Sequence, residues 1–361
     1  MRLQLFFASS LVVTGLMAVI GLPALAQSPF QNTQISPANR ISPAPSPQTP
    51  QANAPAQRSV SAWLMRIHEA SRRKAYLGTF VVSSGGVMAT SRIWHVCDGE
   101  QQIEQVDTLT GAPRSTFRRN HQVLTLDPQS RVATLEQRES MGMFPGLLKS
   151  SANTLEGLYT AQHVSVERVA GFDSDVVEIA PRDKFRFGYR IWSEKKTGLA
   201  VKVQTLDGSG YVLEQVAFSE LQLDAPVSMG KLAKLMANTD GYRIDKPEMV
   251  KTSAEAQGWI IRSAVDGFSP MNCYRRTAAG SVAGQSAPLQ CIFSDGLASV
   301  SLFIEAFDSS RHTQEGLFER GASNALSRRI PDKAGNWWLT AVGEVPAQTL
   351  VSMAQSLERK K

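Results

Sequence analysis

"LGTFVVSSGGVMATSRIWHVCDGEQQIEQVDTL", residues 77–109, decides the fold class. Apolar and polar residues alternate in three runs, and the breaks between them are Ser-Ser-Gly-Gly and Asp-Gly-Glu. Period-two alternation broken by Gly and Asp predicts antiparallel strands joined by hairpins. Ile93, His95 and Cys97 then share one strand face, with Trp94 and Val96 on the other. Asp98 belongs to the turn, because Asp-Gly makes turns.

The same pattern runs on. "PRSTFRRN", "HQVLTLD", "RVATLEQ", "QHVSVERVAG", "SDVVEIAP", "FRFGYRIWSE", "LAVKVQTLD" and "YVLEQVAFSELQL" read as further strands, and "MFPGLLKSSANTLEGLY" as an irregular or helical interruption. Before them, Val60, Trp63, Leu64, Ile67 and Ala70 fall at helical spacing. Eleven or so strands and one amphipathic helix predict a large curved sheet, open or half closed, with the helix on its concave face. "DAPVSMGKLAKLMANTDGY" breaks the pattern and reads as a connection with a short helix. A smaller α+β unit follows, with strands near "GWIIRSA", "MNCYRR", "LQCIFSDGLASVSLFIEAF" and "NWWLTAVGEV". A C-terminal helix, "PAQTLVSMAQSLERKK", starts at Pro346 and ends in bases. The fold class is α+β, mainly antiparallel β. The expected organisation is 1–26, 27–57, 58–225, 226–250 and 251–361.

The first of these segments, 1–26, pairs Arg2 with a long apolar run and closes on Ala24–Ala26, the pattern of a cleaved secretory signal peptide. Residues 27–57 are rich in Pro, Ser and Gln, a composition that stays disordered. Residues 58–225 form the large domain, 226–250 the connection and 251–361 the small domain. Net charge is +6 over 361 residues, spread across both domains rather than gathered in one stripe. That distribution, together with export, argues against a nucleic-acid partner. In an oxidising compartment Cys273 and Cys291, which flank a Gly/Ala/Ser-rich segment between two strands, form a candidate disulfide, with two buried thiols as the alternative. Cys97 is then the odd one.

The chemistry of catalysis is missing. His95 and Cys97 supply two ligands where a structural zinc needs four, so no metal is expected. Neighbours on one strand face do not make a Cys/His hydrolase. Ser294 in "FSDGLAS" lacks the strand–G-x-S-x-G–helix setting and reads as a turn. "SSGG" is flanked by strands, so it reads as a hairpin tip and not an anion loop. No cofactor is implied.

Several segments together carry a resemblance. "YLGTFVV", "SRIWHVCDGEQQIEQVDTLTGAPRSTFRRN" and "FRFGYRIWSEKKTGLAVKVQTLD" resemble the large domain of the RseB/MucB regulators of the sigma-E envelope-stress response. "FSDGLASVSLFIE", "GLFERGASNALSRR" and "WLTAVGEVP" resemble their small domain. Cys97, the Cys273/Cys291 pair, the Pro-rich tail and the inserted "AAGSVAGQSAP" depart from the pattern. The resemblance implies a periplasmic, non-enzymatic negative regulator. It implies a LolA/LolB-like half-barrel with helices in its concave face, plus a smaller antiparallel sheet with a helix. The implied partners are the periplasmic domain of a membrane-anchored anti-sigma factor and lipid or lipopolysaccharide fragments. A homo-oligomer is left open. A lipoprotein or lipid carrier chaperone of the LolA/LolB type is the alternative function.

Within that frame, Phe80, Val82, Phe185, Phe187, Tyr189 and Ile191 are candidates for lining a lipid cavity. Either Phe185, Phe187 and Tyr189 or Arg186, Gly188 and Arg190 face inward. The aromatic set is favoured, because burying unpaired Arg is costly. The plainer alternative is that these rings pack the helix through Trp63 and Leu64. In the small domain, Val300, Leu302 and Ile304 suit the face that covers Leu350, Met353 and Leu357, which leaves Phe303 on the mixed face. Phe318, Arg320, Arg328 and Arg329 fall at a loop-like, Gly-bounded site. With Phe303 they are the partner-binding candidates, since aromatic and Arg side chains anchor interfaces. Packing of Phe303 on Phe318 inside the domain is the alternative.

Overall fold

The computed structural model describes residues 58–137, 155–262, 265–277, 287–332 and 335–360. The expected signal peptide, the Pro-rich tail, the 143–154 part of the interruption and most of the inserted "AAGSVAGQSAP" lie outside the described residues. Among those described, no helix is long and apolar enough to cross a membrane.

The described residues open with α1 (Val60–Arg73). Ser59 caps it by accepting from the Ala62 amide, and the Glu156 carboxylate accepts from the Val60 and Ser61 amides. An acid at a helix N-terminus satisfies orphan amides and opposes the dipole. A first run of strands follows: β1 (Tyr76–Ser84), β2 (Val87–Cys97), β3 (Gln102–Thr108), β4 (Ser115–Arg119), β5 (Gln122–Asp127) and β6 (Val132–Gln137). A second run is β7 (Tyr159–Val169), β8 (Phe172–Pro181), β9 (Gly188–Glu194), β10 (Ala200–Leu206) and β11 (Val212–Leu223). Side chains make the turns. Asp98, Asp127 and Asp207 each accept from two backbone amides just downstream. Gly85 and Gly86, both at positive φ, make the β1–β2 tip.

The two meanders join where β1 pairs with β11, giving one twelve-stranded sheet, ordered β12-β6-β5-β4-β3-β2-β1-β11-β10-β9-β8-β7. Here β12 is Arg243–Asp245, which follows α2 (Met229–Ala237) and pairs parallel to β6. The sheet is not closed; β12 and β7 are its edges. Parity places a helix on each face. Ile93 and Val106 pack with Val60, Trp63, Leu64, Ile67 and Ala70 of α1. Trp94, Val96, Ile103, Phe117 and Leu124 pack with Leu232 and Met236 of α2. Each large side chain so buried stabilises by roughly 1.5–3 kcal/mol.

The second sheet has seven strands, ordered β13-β15-β16-β17-β20-β19-β18. They are β13 (Glu248–Thr252), β15 (Ser269–Thr277), β16 (Leu289–Ser294), β17 (Ser299–Ala306), β18 (Gly316–Arg320), β19 (Ser323–Asp332) and β20 (Gly335–Gly343). On one face, Val300, Leu302 and Ile304 bury Leu350 and Met353 of α3 (Ala347–Gln355). That helix is shorter than the sequence predicts. Leu357 leaves it for β21 (Leu357–Arg359), which pairs with β14 (Trp259–Ile261), and the Arg359 guanidinium lies 4.9 Å over Trp259 and 4.8 Å over Trp337. Cys273 and Cys291 face each other across β15 and β16 with Cα atoms 4.1 Å apart and their sulfurs joined.

Two further expectations need correction. "FRFGYRIWSE" is not strand throughout: β9 starts at Gly188, so period-two parity does not reach Phe185, Arg186 and Phe187. "GLFERGASNALSRR" is not a loop but the hairpin β18–β19. Its tip is Gly321–Ala322, and only Gly321 takes a positive φ, +59°, as a type II′ turn requires. A side chain at Gly321 would begin 2.0 Å from Ser84 Oγ and 3.1 Å from the Leu213 carbonyl. The tip therefore seats on β1 and β11.

All described residues belong to one compact unit, and buried polar groups hold the two sheets together. The β16–β17 turn inserts Leu297 into the core beneath α1. Asp295, fully buried, folds its own turn by accepting from the Leu297 and Ala298 amides at 2.8 and 2.7 Å. Its other oxygen accepts from Arg186 Nε at 2.6 Å and from the Tyr159 hydroxyl at 2.9 Å. Arg186 completes its donors on the Asp183 carboxylate and the Asp266 carbonyl, and lies 4.9 Å over Phe268. Burial, with Asp295 close by, pushes the Tyr159 hydroxyl well above its ordinary pKa, so it stays a donor. The Thr349 hydroxyl donates to the Phe185 carbonyl at 2.7 Å, tying α3 to the same segment.

Two stability measurements follow from this geometry. Arg186→Met strands a buried carboxylate and should cost about 3–5 kcal/mol in urea unfolding; a loss below about 1 kcal/mol would mean water replaces the guanidinium. Reducing the Cys273–Cys291 bridge should cost about 3 kcal/mol by the loop-entropy argument for a bridge of this span; urea unfolding unchanged by reductant would contradict a stabilising bridge.

Candidate functional site

His95 and Cys97 sit where strand parity puts them, and each has a structural partner. The His95 ring is buried, stacks on Tyr76 at 4.8 Å between centroids, and places Nδ1 2.9 Å from the Lys74 carbonyl. Desolvation lowers its pKa, and burial raises that of the Cys97 thiol. A neutral ring and a protonated thiol suit packing, not nucleophilic chemistry. Among the described residues no three His, Cys, Asp or Glu side chains gather as metal ligands.

The six lipid-cavity candidates do not form one set. Phe80, Tyr189 and Ile191 are buried in the core beneath α1, and Val82 packs at its margin. Phe187 is buried just before β9. Phe185 lies elsewhere: it packs against the core of the second sheet. The expectation that Arg186 points to water fails for a clear reason. Arg186 is buried because three acceptors surround it, so the penalty for an unpaired guanidinium does not apply. A cleft of about 260 Å³ runs along the C-terminal half of α1, lined by Met65, His68, Glu69, Arg72, Arg73 and the β2–β3 turn. It touches none of the six. Burial and Arg72 hold the His68 pKa down to about 4 there.

The partner candidates gather on the second sheet, on the side α3 leaves bare. Leu326 packs toward α3, so Ala325, Ser327 and Arg329 face the other way. Register carries that face across the sheet: Phe318 lies opposite Ala325, Ala325 opposite Val342, and Phe303 opposite Thr340. Phe318 is 40 % exposed, Phe303 half-buried. Arg320 is exposed beside Gly85 of the β1–β2 tip, and the Arg329 guanidinium lies 4.6 Å over Phe307. Arg328, by parity, belongs to the α3 face and stands apart from the other four. Part of this bare face is covered by the chain after β17: His312 stacks on Trp338 at 4.8 Å, and Glu305 holds both His312 and Arg311. Sequence reasoning missed this covering segment, Asp295 and Tyr159, and it weighed Arg186 facing inward but disfavoured it.

Comparison with known proteins places this architecture. The profile of the MucB/RseB N-terminal domain matches residues 59–236, and that of the MucB/RseB C-terminal domain residues 253–358. The sigma factor AlgU regulatory protein MucB of Pseudomonas aeruginosa is 27 % identical over 302 residues, covering 82 % of this chain and 90 % of MucB. The sigma-E factor regulatory protein RseB of Escherichia coli is 26 % identical over 312 residues, covering 85 % and 93 %. Among solved structures, the Pseudomonas aeruginosa MucA/MucB complex matches with a TM-score of 0.63 at 25 % identity, over 83 % of this chain and 99 % of that one. MucB in complex with MucA(peri) matches with a TM-score of 0.62 at 26 % identity. With both family profiles matched in order across the two sheets, the chain belongs to the MucB/RseB family.

Proposed function

We propose that this protein is a periplasmic, non-enzymatic negative regulator of a sigma factor. It binds the periplasmic part of a membrane-anchored anti-sigma factor and shields it from regulated proteolysis. The observation that carries the reading is the likeness, over nearly the whole of the relative's chain, to MucB solved in complex with MucA. The relatives named as sigma-factor regulators support it.

In this reading the chain works as a large lobe over 58–225, a connection over 226–250 whose α2 and β12 pack on the large lobe's sheet, and a small lobe over 251–361. The small lobe presents Phe303, Phe318, Arg320 and Arg329 to the partner; Arg328, on the α3 face, stands apart from that surface. Its bare sheet face supports the choice, because aromatic and guanidinium groups that no helix covers are the groups that anchor interfaces. The large lobe senses lipid or lipopolysaccharide fragments. Since α1 fills the face lined by Phe80, Tyr189 and Ile191, an acyl chain reaches them only where α1 moves aside. A LolA/LolB-type carrier role would leave the second sheet, with its own core and disulfide, without a task.

The mature protein should slow cleavage of the purified anti-sigma factor by its membrane protease. Phe318→Ala/Arg320→Ala should weaken binding by about 2 kcal/mol or more, as loss of an interface anchor does, with the thermal midpoint kept. Equal cleavage rates with and without the protein would refute the reading.

A further inference from the structure

The second sheet ends on a strand that nothing described covers. β18 pairs with β19 along one edge only, and Leu317, Phe318, Glu319 and Arg320 are all exposed. The two-residue turn at Gly321–Ala322 closes on the pair Arg320–Ser323. Antiparallel pairs alternate between bonded and non-bonded, so 320/323, 318/325 and 316/327 exchange hydrogen bonds with β19. Leu317 and Glu319 then turn their N–H and C=O groups outward, leaving two donors and two acceptors on the free edge.

Natural sheets protect such edges with bulges, Pro, Lys or extreme shortness. The other edges here show these devices. β7 carries a bulge between His163 and Ser165, β12 has only three residues, and β13 follows Pro247 and includes Lys251. β18 has no bulge, no Pro and no Lys, and it exposes Leu317 at 43 % and Phe318 at 40 %. Its far end is also fixed in space, because the hairpin tip seats on Ser84 and Leu213. A strand laid along β18 would run from the small sheet onto Val87 and Met88, exposed at 51 % and 69 % beside the β1–β2 tip. Along that path the bare face offers Arg320 and Arg329, and its nearby carboxylate, Glu305, is already held by Arg311 and His312.

From this we infer that β18 is a strand-addition site. An extended, acidic segment with alternating apolar residues, supplied by the periplasmic part of the anti-sigma factor, would pair with the free edge at Leu317 and Glu319. Its apolar side chains would meet Phe318, Val87 and Met88, and its acids Arg320 and Arg329. Main-chain bonds supply affinity in such additions, and the side-chain alternation supplies selectivity. The inference rests on the anti-sigma reading and specifies how that partner is held.

The test is amide hydrogen exchange on the full mature protein, free and with the purified periplasmic fragment of its anti-sigma factor. The Leu317 and Glu319 amides should exchange freely in the free protein and slow by about tenfold or more in the complex. Leu317→Pro removes an outward N–H that β19 does not use, so it should weaken the complex by about tenfold or more without lowering the thermal midpoint. A complex that forms while both amides stay unprotected, or that protects Met249 and Val250 of β13 instead, overturns strand addition and leaves the anti-sigma reading standing. Protection already present in a dimer of the free protein assigns the edge to a second copy and overturns the inference. Failure to form any complex refutes the anti-sigma reading and the inference with it.

Discussion

One carboxylate ties the two sheets together. Asp295 uses one oxygen to fold the β16–β17 turn of the second sheet and the other to hold Arg186 and Tyr159 of the first. Four donors on a fully buried anion offset the desolvation that would otherwise expel it. The consequence reaches beyond the pair. With the turn held, Leu297 enters the α1 core, Arg186 fixes the segment before β9, and that segment receives Thr349 from the start of α3. Such a junction is directional in a way an apolar seam is not: each bond fixes an angle as well as a contact. The hairpin tip at Gly321, seated on Ser84 and Leu213, is a further contact between the two sheets.

Much of this fold is legible in the sequence, and the reason is local chemistry. The strand series reads out because alternation and Asp or Gly turns are short-range signals, and Asp98, Asp127 and Asp207 perform the turn chemistry their neighbours imply. The α1 stripe, and the Val300, Leu302 and Ile304 face that covers α3, are visible for the same reason. Asp295 shows where this ends. Like Asp98, it precedes Gly and accepts amides two and three residues downstream. Asp98 is exposed and Asp295 fully buried; Glu100 and Gln101 follow the one and Leu297 and Ala298 the other, a local hint of burial that does not name the partner of the buried carboxylate. The difference lies in Arg186, 109 positions away. The same distance effect misplaced "FRFGYRIWSE", where Arg186 is paired with Asp295; the β18–β19 hairpin, by contrast, is a local contact closed at Gly321–Ala322 that the Gly-bounded reading took for a loop.

The candidate partner surface is a product of the junction rather than of either sheet alone. β18 and its bare face belong to the second sheet, and Val87, Met88 and Gly85 to the first. They form one continuous path because Asp295 and Gly321 hold them in register. An anti-sigma segment bound there would report on the relative position of the sheets. A ligand that displaced α1 would disturb Leu297 and hence the turn that carries Asp295. That route links the proposed lipid signal to the proposed partner site, through buried contacts from α1 to Asp295 and half-buried ones at Gly321, Ser84 and Leu213.

The lock at Asp295 makes one body of the two sheets. Native-state hydrogen exchange at the Leu297 and Ala298 amides, both of which donate to Asp295, tests it most directly. These amides should open only with global unfolding, at the same free energy as amides in the middle of β9 and β17. Exchange through an opening several kcal/mol cheaper than global unfolding would show that the sheets part while each stays folded, and would contradict it.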